Sequence, residues 1–402
     1  MKKKIISLII CLCMILSLGL VGCKNKNDDS GKKPTPEPPT PTDPTDPSDP
    51  SDKPTENNLT ITSPNGTVYS FNSAISAYLS AGENESVSSY AAQMNDQAQA
   101  VNIEWTDKGN TADSYVVEYG LKDDFSDAVS VTVDGDKRRI KVYNLYKAST
   151  YHVRVTAKKS GEEDRTVLGT FSTQTNGPRV MKIDGIINVR DIGGYTASNG
   201  KTIKQGLIFR GSCLSPSKDK AYTDIQLTDE AKAYMSETLK IKSDFDLRSA
   251  AMYTDLTQSP IPNAKITFFG ISGYADAFTD TFKENYRKLF SALANKDNYP
   301  IYIHCDAGAD RTGTAMILLE HLLDMKWIDI KHDYEFTTFS RAGVRSMFDG
   351  AYVSYINAFN DGLLKFDGNT EREMVENYLL SIGVTAEEIS NIRKIMYGEI
   401  EI

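Results

Sequence analysis

The stretch YPIYIHCDAGADRTGTAMILLEHLL, residues 299–323, constrains the fold more than any other part of the chain. The apolar run that ends at His304 is typical of a buried strand, and the one that follows Arg311 is typical of a helix. The residues between them form a tight loop, for which Gly308 supplies the backbone freedom. A strand that passes through a glycine loop into a helix predicts an α/β domain, with a central sheet flanked by helices.

The loop between this strand and this helix has the composition of an anion-binding site. Its backbone N–H groups can curl around one phosphate, and the helix adds the positive end of its dipole. The same donors stabilise the thiolate of Cys305, which is the reactive form of a cysteine. Arg311 can hold two phosphate oxygens with its planar fork. We therefore expect covalent phosphoryl transfer, with Cys305 as the nucleophile and Arg311 as the clamp.

The segment HCDAGADRTG, residues 304–313, resembles the His-Cys-x5-Arg-Ser/Thr signature of the cysteine-dependent tyrosine phosphatases. Similarity to secreted bacterial members of that family, in particular the mycobacterial branch, extends over NVRDIGGY (188–195), GLIFRGSCL (206–214), DLRS (246–249) and YLLSIGVTAEEISNIR (378–393). The resemblance covers about residues 179–401. It implies hydrolysis of phosphate monoesters, most of all protein phosphotyrosine, through a phosphocysteine intermediate. No cluster of residues has metal-ligand spacing, so we expect neither a metal nor another cofactor.

The resemblance also implies roles for individual residues of the site. The phosphate cradle would consist of Asp306, Ala307, Gly308 and Ala309. The hydroxyl of Thr312 would hydrogen-bond the sulfur as it leaves, although Thr312 could instead cap the helix. Arg248, with Asp246, is either a support of the substrate site or part of the scaffold.

Four further residues near these motifs have simpler interpretations. His304 is expected to position the loop by hydrogen bonding, and Cys213 to be a bystander that could form an oxidised pair with Cys305. Arg190 and Asp191 either form a structural turn or help to orient the loop. The Asp306 side chain is expected to point away from the substrate.

The general acid has several candidates. Asp310 is favoured, because bound phosphate repels a carboxylate inside the cradle and so favours its protonated form. The simpler role for Asp310 is that of a helix cap. Many family members instead carry the acid on a separate mobile loop, where Asp276, Asp280 and Asp255 are the candidates here.

Two departures from the family pattern bear on the substrate. The lysine that often precedes the aspartate of the loop is Ala309 here, and the glutamate often found after the DLRS run is absent, with Ala251 and Met252 in that region. Both changes argue against phosphoinositide hydrolysis. An inositol polyphosphate phosphatase is the alternative enzyme, and a catalytically weak binding or adhesion protein is the alternative of a different class.

Residues 59–176 precede the phosphatase domain, which we assign to 177–402. Six β-rich runs, in a core of about 98–175, predict an all-β sandwich. Trp105, and Leu145 followed by Tyr151, resemble the core tryptophan and the tyrosine corner of fibronectin type III domains. We expect a positioning or adhesive module with a protein or glycan partner. The stretch SFNSAISAYLSAG, residues 70–82, permits a short helix.

The N-terminus has the layout of an export signal. Three lysines precede an apolar run, and Leu20–Cys23 resembles the lipobox of bacterial lipoproteins, which implies cleavage before Cys23 and lipid on its sulfur. Residues 24–58 are rich in Pro and Asp and predict a disordered linker. We therefore expect a lipoprotein on the outer face of the bacterial cell membrane. The net charge of -9 and the lack of a basic cluster argue against a nucleic-acid partner.

Overall fold

The structure of this protein is a computed structural model that describes residues 58–92, 96–216, 222–250 and 256–402. The predicted signal peptide, the lipid attachment at Cys23, residues 24–57 of the linker, and Asp255 lie outside the described residues. Within the described part of the chain, every helix is too short or too polar to cross a bilayer.

The first part of the described chain folds into a fibronectin type III-like sandwich, as predicted. Its strands are β1 (Leu59–Ser63), β2 (Thr67–Val68), β3 (Val101–Asp107), β4 (Ser114–Gly120), β5 (Val129–Asp134), β6 (Arg139–Val142), β7 (Thr150–Lys158) and β8 (Arg165–Thr173). One sheet has the order β1-β3-β6, and the other has the order β2-β8-β7-β4-β5.

Strand β3 shows why these residues form a sandwich. Its side chains alternate between buried and half-buried positions, so that one face of the strand packs into the core. Trp105 on that face is 1% exposed and packs against Tyr115, with ring centroids 5.3 Å apart. The Tyr151 hydroxyl accepts a hydrogen bond of 3.0 Å from the Tyr146 backbone N–H. This bond back to an upstream residue is the geometry that defines a tyrosine corner.

The second part of the chain is an α/β domain, again as predicted. Its strands are β9 (Arg179–Val180), β10 (Arg190–Asp191), β11 (Ile208–Gly211), β12 (Ser243–Asp246), β13 (Lys265–Phe268) and β14 (Ile301–His304). They form one sheet with the order β13-β12-β14-β11-β10-β9. Strand β14 runs parallel to both of its neighbours, β11 and β12, and all its residues are buried. The carboxyl ends of these three strands therefore meet at one edge of the sheet.

Helices cover the sheet. They are α2 (Asp229–Ala233), α3 (Lys283–Leu293), α4 (Asp310–Leu322), α5 (Trp327–Phe336), α6 (Val353–Leu363), α7 (Glu371–Ser381) and α8 (Ala386–Met396), and α1 (Ser73–Leu79) precedes them in the chain. Helix α3 buries Tyr286, Leu289 and Phe290, the spacing that predicted it. Helix α4 is buried on nearly all sides, so its start, directly after β14, is firmly fixed in the core.

Residues 71–97 form a strap that leaves the sandwich and lies on the α/β domain (residues 93–95 are outside the described part). The sequence assigned residues 59–176 to the sandwich domain, with its core at about 98–175, and of residues 59–97 the strands β1 and β2 pair within its sheets. Helix α1, within the stretch that permitted a helix, belongs to the strap. One apolar cluster joins the strap to the α/β domain and contains Phe71, Ile75, Tyr78, Leu79, Val87, Ala98, Val180, Phe336 and Phe339. The strap, which lies between β2 and β3 in the chain, therefore packs into a core with the α/β domain, while the sandwich keeps a core of its own.

Lys147 is buried where the sandwich meets the α/β domain. Its Nζ donates to the carbonyl oxygen of Gly177 at 2.5 Å and lies 3.4 Å from the centre of the Tyr195 ring. Its backbone N–H donates to Gln205 Oε1 at 2.9 Å. Burial lowers the pKa of the Lys147 ammonium to about 7, against the opposing effect of nearby carboxylates such as Asp329.

Candidate active site

The phosphate loop, residues 305–309, joins β14 to α4. Gly308 has a φ of +67°, in the left-handed region, and a Cβ there would lie 2.2 Å from the carbonyl oxygen of Gly211 at the end of β11. Position 308 therefore requires glycine, because any side chain would push the loop away from the sheet. Cys305, the predicted nucleophile, begins the loop and is 3% exposed.

Successive carbonyl groups of the phosphate loop accept hydrogen bonds from the strands and turns behind it. The bonds run from Cys213 N to Asp306 O (3.0 Å), from Asn188 Nδ2 to Ala307 O (3.1 Å) and Gly308 O (3.2 Å), and from Arg210 Nη2 to Gly308 O (2.8 Å). In a trans peptide the C=O and the following N–H point in opposite directions. The N–H groups of residues 307–309 therefore point away from these donors, as an anion cradle requires.

Two buried arginines, Arg190 and Arg210, meet at the carboxylate of Asp333 behind the phosphate loop. Arg190 Nε donates to Asp333 Oδ1 at 2.8 Å, and Arg210 Nη1 donates to Asp333 Oδ2. Arg190 Nη1 also donates to Asn188 Oδ1 at 2.6 Å, which turns the Asn188 amide nitrogen toward the loop. Asp191 instead accepts from the backbone N–H groups of Gly193 and Gly206 and pairs with Arg179 Nη1 at 2.9 Å. Of the two roles considered, these contacts favour orientation of the loop for Arg190 and a structural role for Asp191.

Two buried carboxyl groups behind the loop, those of Glu320 and Asp333, have pKa values shifted in opposite directions. Burial and the charge of Asp333 raise the pKa of Glu320 well above its usual range. Burial opposes ionisation of Asp333 as well, but Arg190 and Arg210 outweigh it and lower the Asp333 pKa. The two guanidinium groups thus share the Asp333 carboxylate behind the cradle.

Arg311, the predicted clamp, pairs with Asp306 within the loop. Arg311 Nη2 lies 2.6 Å from Asp306 Oδ2, and Arg248 Nη1 lies 3.2 Å from Asp306 Oδ1. Arg248 also forms several hydrogen bonds with the Asp246 carboxylate, and its side chain is 1% exposed. Arg248 was expected among the substrate-binding residues, but this burial favours a supporting role. The Asp306 side chain, expected to point away from substrate, holds Arg311 instead.

His304 lies behind the nucleophile and is buried. Its Nε2 is 2.9 Å from Asp244 Oδ1, and its Nδ1 is 3.1 Å from the carbonyl oxygen of Cys305. Burial alone would lower the pKa of the imidazole, but the carboxylates of Asp246 and Asp244 outweigh it and raise that pKa. A ring that donates from both nitrogens fits the predicted positioning role.

Cys213 lies near the nucleophile but differs from it in its surroundings. It is fully buried at the end of β11, and burial raises the pKa of its thiol to about 12. Such a cysteine remains a neutral thiol at physiological pH, and it contributes to the site through its backbone N–H. This fits the bystander role expected for the Cys213 side chain.

Asp310, the favoured acid, is the first residue of α4 and is 38% exposed at its side chain. Its Oδ1 accepts from the Tyr274 hydroxyl at 2.6 Å and from Arg345 Nε at 2.8 Å, and Arg345 Nη2 reaches its Oδ2 at 3.1 Å. Arg345 thus contacts both oxygens of the Asp310 carboxylate. The N-cap position belongs to Ala309, which makes no capping bond, so neither Asp310 nor Thr312 caps the helix.

The structure separates the alternative acids. Asp276 is exposed, lies on the cleft, and accepts from Ser272 Oγ at 2.7 Å. Asp280 is 95% exposed at its side chain and pairs with Lys283 at 2.6 Å. Asp280 does not line the cleft. Of these two, only Asp276 lines the cleft.

Thr312 is completely buried in the first turn of α4. Its Oγ1 has no hydrogen-bond partner among the described residues. A buried hydroxyl without a partner costs free energy, on the order of 1–3 kcal/mol. An unpartnered hydroxyl at this position is compatible with the role that the family resemblance implies for Thr312.

A cleft of about 700 Å³ opens at the start of α4, directly after the phosphate loop in the chain. Asp310, Arg311 and Asp276 line it together with an aromatic wall, which consists of Tyr274, Tyr352 and Tyr355. The Tyr274 ring centre is 5.2 Å from that of Tyr355 and 6.3 Å from that of Tyr352. Tyr274 has a φ of +55°, a strained value for a residue with a side chain. Strain of this kind often marks a functional position.

Sequence reasoning missed several residues of this site. Arg345 and the aromatic wall come from segments without a recognisable motif. Asn188 and Arg210 lie inside the quoted stretches NVRDIGGY and GLIFRGSCL, so a signal for them was present but no role was assigned. In the part of the chain that the structure describes, no group of three or more His, Cys, Asp or Glu residues could hold a metal ion.

Known proteins show similarities to both parts of the chain. The sequence model of the fibronectin type III domain matches residues 85–168. A fibronectin type III domain of the human collagen alpha-1(XX) chain is 21% identical, with a TM-score of 0.17, over 19% of this chain and 68% of that one. The core catalytic domain of the PP-IP phosphatase SIW14 from S. cerevisiae is 20% identical, with a TM-score of 0.26, over 43% of this chain and 94% of that one. No curated protein sequence matches the chain.

The fold and the loop define a phosphatase domain that follows a fibronectin type III domain. The sequence model of the tyrosine phosphatase family matches residues 181–398, more than half of the chain. This protein belongs to the tyrosine phosphatase family. Its activity is the hydrolysis of phosphate esters.

Proposed function

We propose that this protein hydrolyses phosphate monoesters, foremost the phosphotyrosine of proteins, through a phosphocysteine on Cys305. The observation that carries the proposal is the set of hydrogen bonds behind the phosphate loop. These bonds leave the N–H groups of residues 307–309 to face an anion. Donors that are fixed before the reaction stabilise the charge of a phosphoryl group in transfer without further reorganisation.

In the first step, the Cys305 thiolate attacks phosphorus, and the bond from phosphorus to the leaving oxygen breaks. Asp310 gives its proton to that oxygen, while Arg311 and the cradle hold the other phosphate oxygens. In the second step, a water molecule attacks phosphorus, Asp310 takes its proton, and the bond from sulfur to phosphorus breaks. Thr312 donates to the departing sulfur through its unpartnered hydroxyl.

The lining of the cleft favours an aryl phosphate. The aromatic wall offers ring faces against which the ring of phosphotyrosine can stack. Arg311 is the only basic residue that lines the cleft among the residues that the structure describes. An inositol polyphosphate carries several phosphates and needs several cations. The cleft therefore favours one phosphate on an aromatic group over many phosphates on a sugar-like ring.

The full chain with Cys305→Ser tests the covalent mechanism. We expect this variant to lose nearly all turnover of p-nitrophenyl phosphate and to keep its binding of tungstate, because backbone N–H groups and Arg311 form the cradle. Acid quenching of the wild-type protein with ³²P-labelled substrate should trap phosphate on a cysteine. Substantial turnover by Cys305→Ser would refute the mechanism. Arg311→Lys should also lose nearly all turnover, because the ammonium group of lysine does not reproduce the two-pronged contact of a guanidinium group with phosphate.

A substrate panel tests the substrate class. We expect the highest kcat/KM for a phosphotyrosine peptide, a lower value for a phosphoserine peptide, and the lowest for inositol hexakisphosphate. A preference for inositol hexakisphosphate would make the protein an inositol polyphosphate phosphatase. Tungstate binding without turnover of any substrate would instead favour a binding or adhesion protein.

We infer that the protein is a lipoprotein on the outer face of the bacterial cell membrane. Leu20–Cys23 and the lysines at the N-terminus support this inference. The domains would then be a signal peptide to Cys23, a linker to residue 58, the sandwich to residue 176 and the phosphatase domain beyond it. The sandwich would bind a protein or glycan outside the cell. Wild-type protein should incorporate labelled fatty acid in a bacterial host, and Cys23→Ala should not.

A further inference from the structure

The strap contacts the active site from outside the part of the chain that matches the phosphatase family. Asp96, in the strap, accepts the backbone N–H of Asn188 with its Oδ2 at 2.8 Å. Asn188 has a φ of +61°, in the left-handed region that residues with side chains rarely adopt. The bond from Asp96 thus helps to hold a strained residue whose side chain secures two carbonyl groups of the phosphate loop.

The surroundings of Asp96 tie it closely to the loop. Burial raises the pKa of Asp96 above its usual range, while the hydrogen bond from Asn188 and the charges of Arg341 and Arg190 work against that rise. Arg190 is the residue that orients the Asn188 amide from the other side. Asn188 is therefore fixed at its backbone by the strap and at its side chain by the α/β domain.

A second set of contacts reaches the loop that carries Arg345. The hydroxyls of Ser86 and Ser88 each donate to Asp349 at 2.6 Å. Four residues before Asp349, Arg345 pairs with Asp310 at the cleft. The strap thus fixes the segment from which Arg345 reaches the favoured acid.

Tyr78 adds a further contact of this kind. Its hydroxyl donates to Glu335, and the other oxygen of Glu335 accepts the backbone N–H of Met347 at 2.6 Å. Met347 lies between Arg345 and Asp349 in the same loop. The strap therefore contacts both sides of the site, one through Asn188 and one through the 345–349 segment.

We propose that the strap is a positioning element of the active site, and that Asp96 sets the phosphate loop through Asn188. The proposal rests on the function proposed above, since it concerns the same loop around Cys305. The other explanation is that the strap only covers apolar residues such as Phe336 and Phe339. A mere cover would affect stability, whereas a positioning element also affects oxyanion binding and turnover in the folded protein.

Asp96→Ala in the full chain tests the proposal. We expect kcat for p-nitrophenyl phosphate to fall about 10- to 100-fold, because small misplacements of catalytic groups cost rates of that order. Tungstate binding, measured by calorimetry, should weaken by a similar factor. Asp96→Asn should recover most of both, because the carboxamide oxygen can accept the same Asn188 N–H.

Asp113→Ala is the matched control. The Asp113 carboxylate accepts a backbone N–H as well, from Ser160 at 2.7 Å, but within the sandwich. This variant should keep the wild-type kcat and the wild-type affinity for tungstate. Melting temperatures of all variants are measured in parallel, so that activity is compared only where each protein is folded.

The proposal is overturned if folded Asp96→Ala keeps kcat and tungstate affinity within twofold of wild type. If Asp96→Ala does not fold, the proposal is tested with the double variant Ser86→Ala/Ser88→Ala, which removes the hydrogen bonds from the strap to Asp349. A fall in its kcat that is larger for phenyl phosphate than for p-nitrophenyl phosphate supports the proposal, and unchanged kinetics overturns it. Tungstate binding does not depend on turnover, so it tests the strap even if the proposed mechanism is wrong. Turnover by Cys305→Ser tests the mechanism separately.

Discussion

Arg311 and Asp306 form an ion pair of 2.6 Å inside the phosphate loop. Arg248 contacts the other oxygen of the same carboxylate and is itself held by Asp246. The charges alternate along this row of four side chains, which ends at the guanidinium expected to clamp phosphate. The fork of Arg311 is thus oriented before a substrate arrives, and one of its nitrogen atoms is engaged with Asp306.

The first prediction concerns this ion pair. Asp306→Ala removes the carboxylate that orients Arg311, while Arg248 keeps Asp246 as its partner. We expect kcat/KM for p-nitrophenyl phosphate to fall about tenfold, because an arginine that is no longer preorganised has to be ordered by the substrate. Steady-state kinetics and tungstate titration measure the effect. Tighter tungstate binding by the variant would mean that Asp306 competes with phosphate for the fork.

The second prediction concerns the general acid. Asp310→Asn should slow phenyl phosphate and phosphotyrosine about 10²- to 10⁴-fold, the usual contribution of general acid catalysis. It should slow p-nitrophenyl phosphate less, because p-nitrophenolate leaves without help. The slope of log kcat against the pKa of the leaving group measures the effect and should become steeper in the variant.

Asp276→Asn is the matched control for the acid, because Asp276 lies on the same cleft. It should leave that slope unchanged. If Asp276→Asn steepens the slope and Asp310→Asn does not, the proton comes from the 3-10 turn Tyr274–Phe278, and movement of this turn becomes a candidate for the slow step. Asp310 would then serve mainly to hold Arg345.

The third prediction concerns the aromatic wall. Tyr355 is 53% exposed, so Tyr355→Ala should leave the melting temperature nearly unchanged. We expect its KM for a phosphotyrosine peptide to rise about 3- to 10-fold, the factor that corresponds to a ring contact of about 0.5–1.5 kcal/mol. The KM for an alkyl phosphate, which has no ring, should stay the same. Equal effects on both substrates would show that Tyr355 does not select for an aryl group.

The fourth prediction concerns the pH dependence of stability. The pKa of Lys147 is about 7 in the folded protein, compared with an ordinary value of 10.5. Between these values the unfolded chain binds more protons than the folded one, so the free energy of unfolding rises with pH. Below about pH 7 both states are protonated, and the cost of burying the charge is fully present.

Lys147→Met should remove this rise. We expect Lys147 to contribute roughly 2.5 kcal/mol of the increase in wild-type stability between pH 7 and pH 9, at about 1.4 kcal/mol per pH unit. Urea unfolding of both proteins at these two pH values measures the difference. The same pH dependence in wild type and variant would show that Lys147 does not titrate in this range.

The elements that the sequence predicted are those determined by residues close together in the chain. The strand, the phosphate loop and helix α4 follow one another directly, so their apolar spacing and glycine were sufficient to predict them. The alternation in β3 and the spacing from Leu145 to Tyr151 predicted the sandwich in the same way. The residue roles that were assigned at the site, from Cys305 to Thr312, remain predictions for the experiments above.

Contacts between distant segments could not be predicted. Arg345 lies 35 residues after its partner Asp310, and Asp96 lies 92 residues before Asn188. An isolated arginine or aspartate that belongs to no sequence motif does not indicate which distant residue it will contact. The strap was also hidden because its helix is only seven residues long and its apolar residues pack against another domain.

The apolar cluster that joins the strap to the α/β domain has a consequence for the history of the gene. Domains that meet only through a linker can be exchanged between genes, because each buries its own core. Here, recombination at the boundary between the sandwich and the phosphatase domain would remove the strap together with the sandwich. Val180, Phe336 and Phe339 would then be exposed to water. The two domains, although each matches a family of its own, are therefore expected to be inherited together.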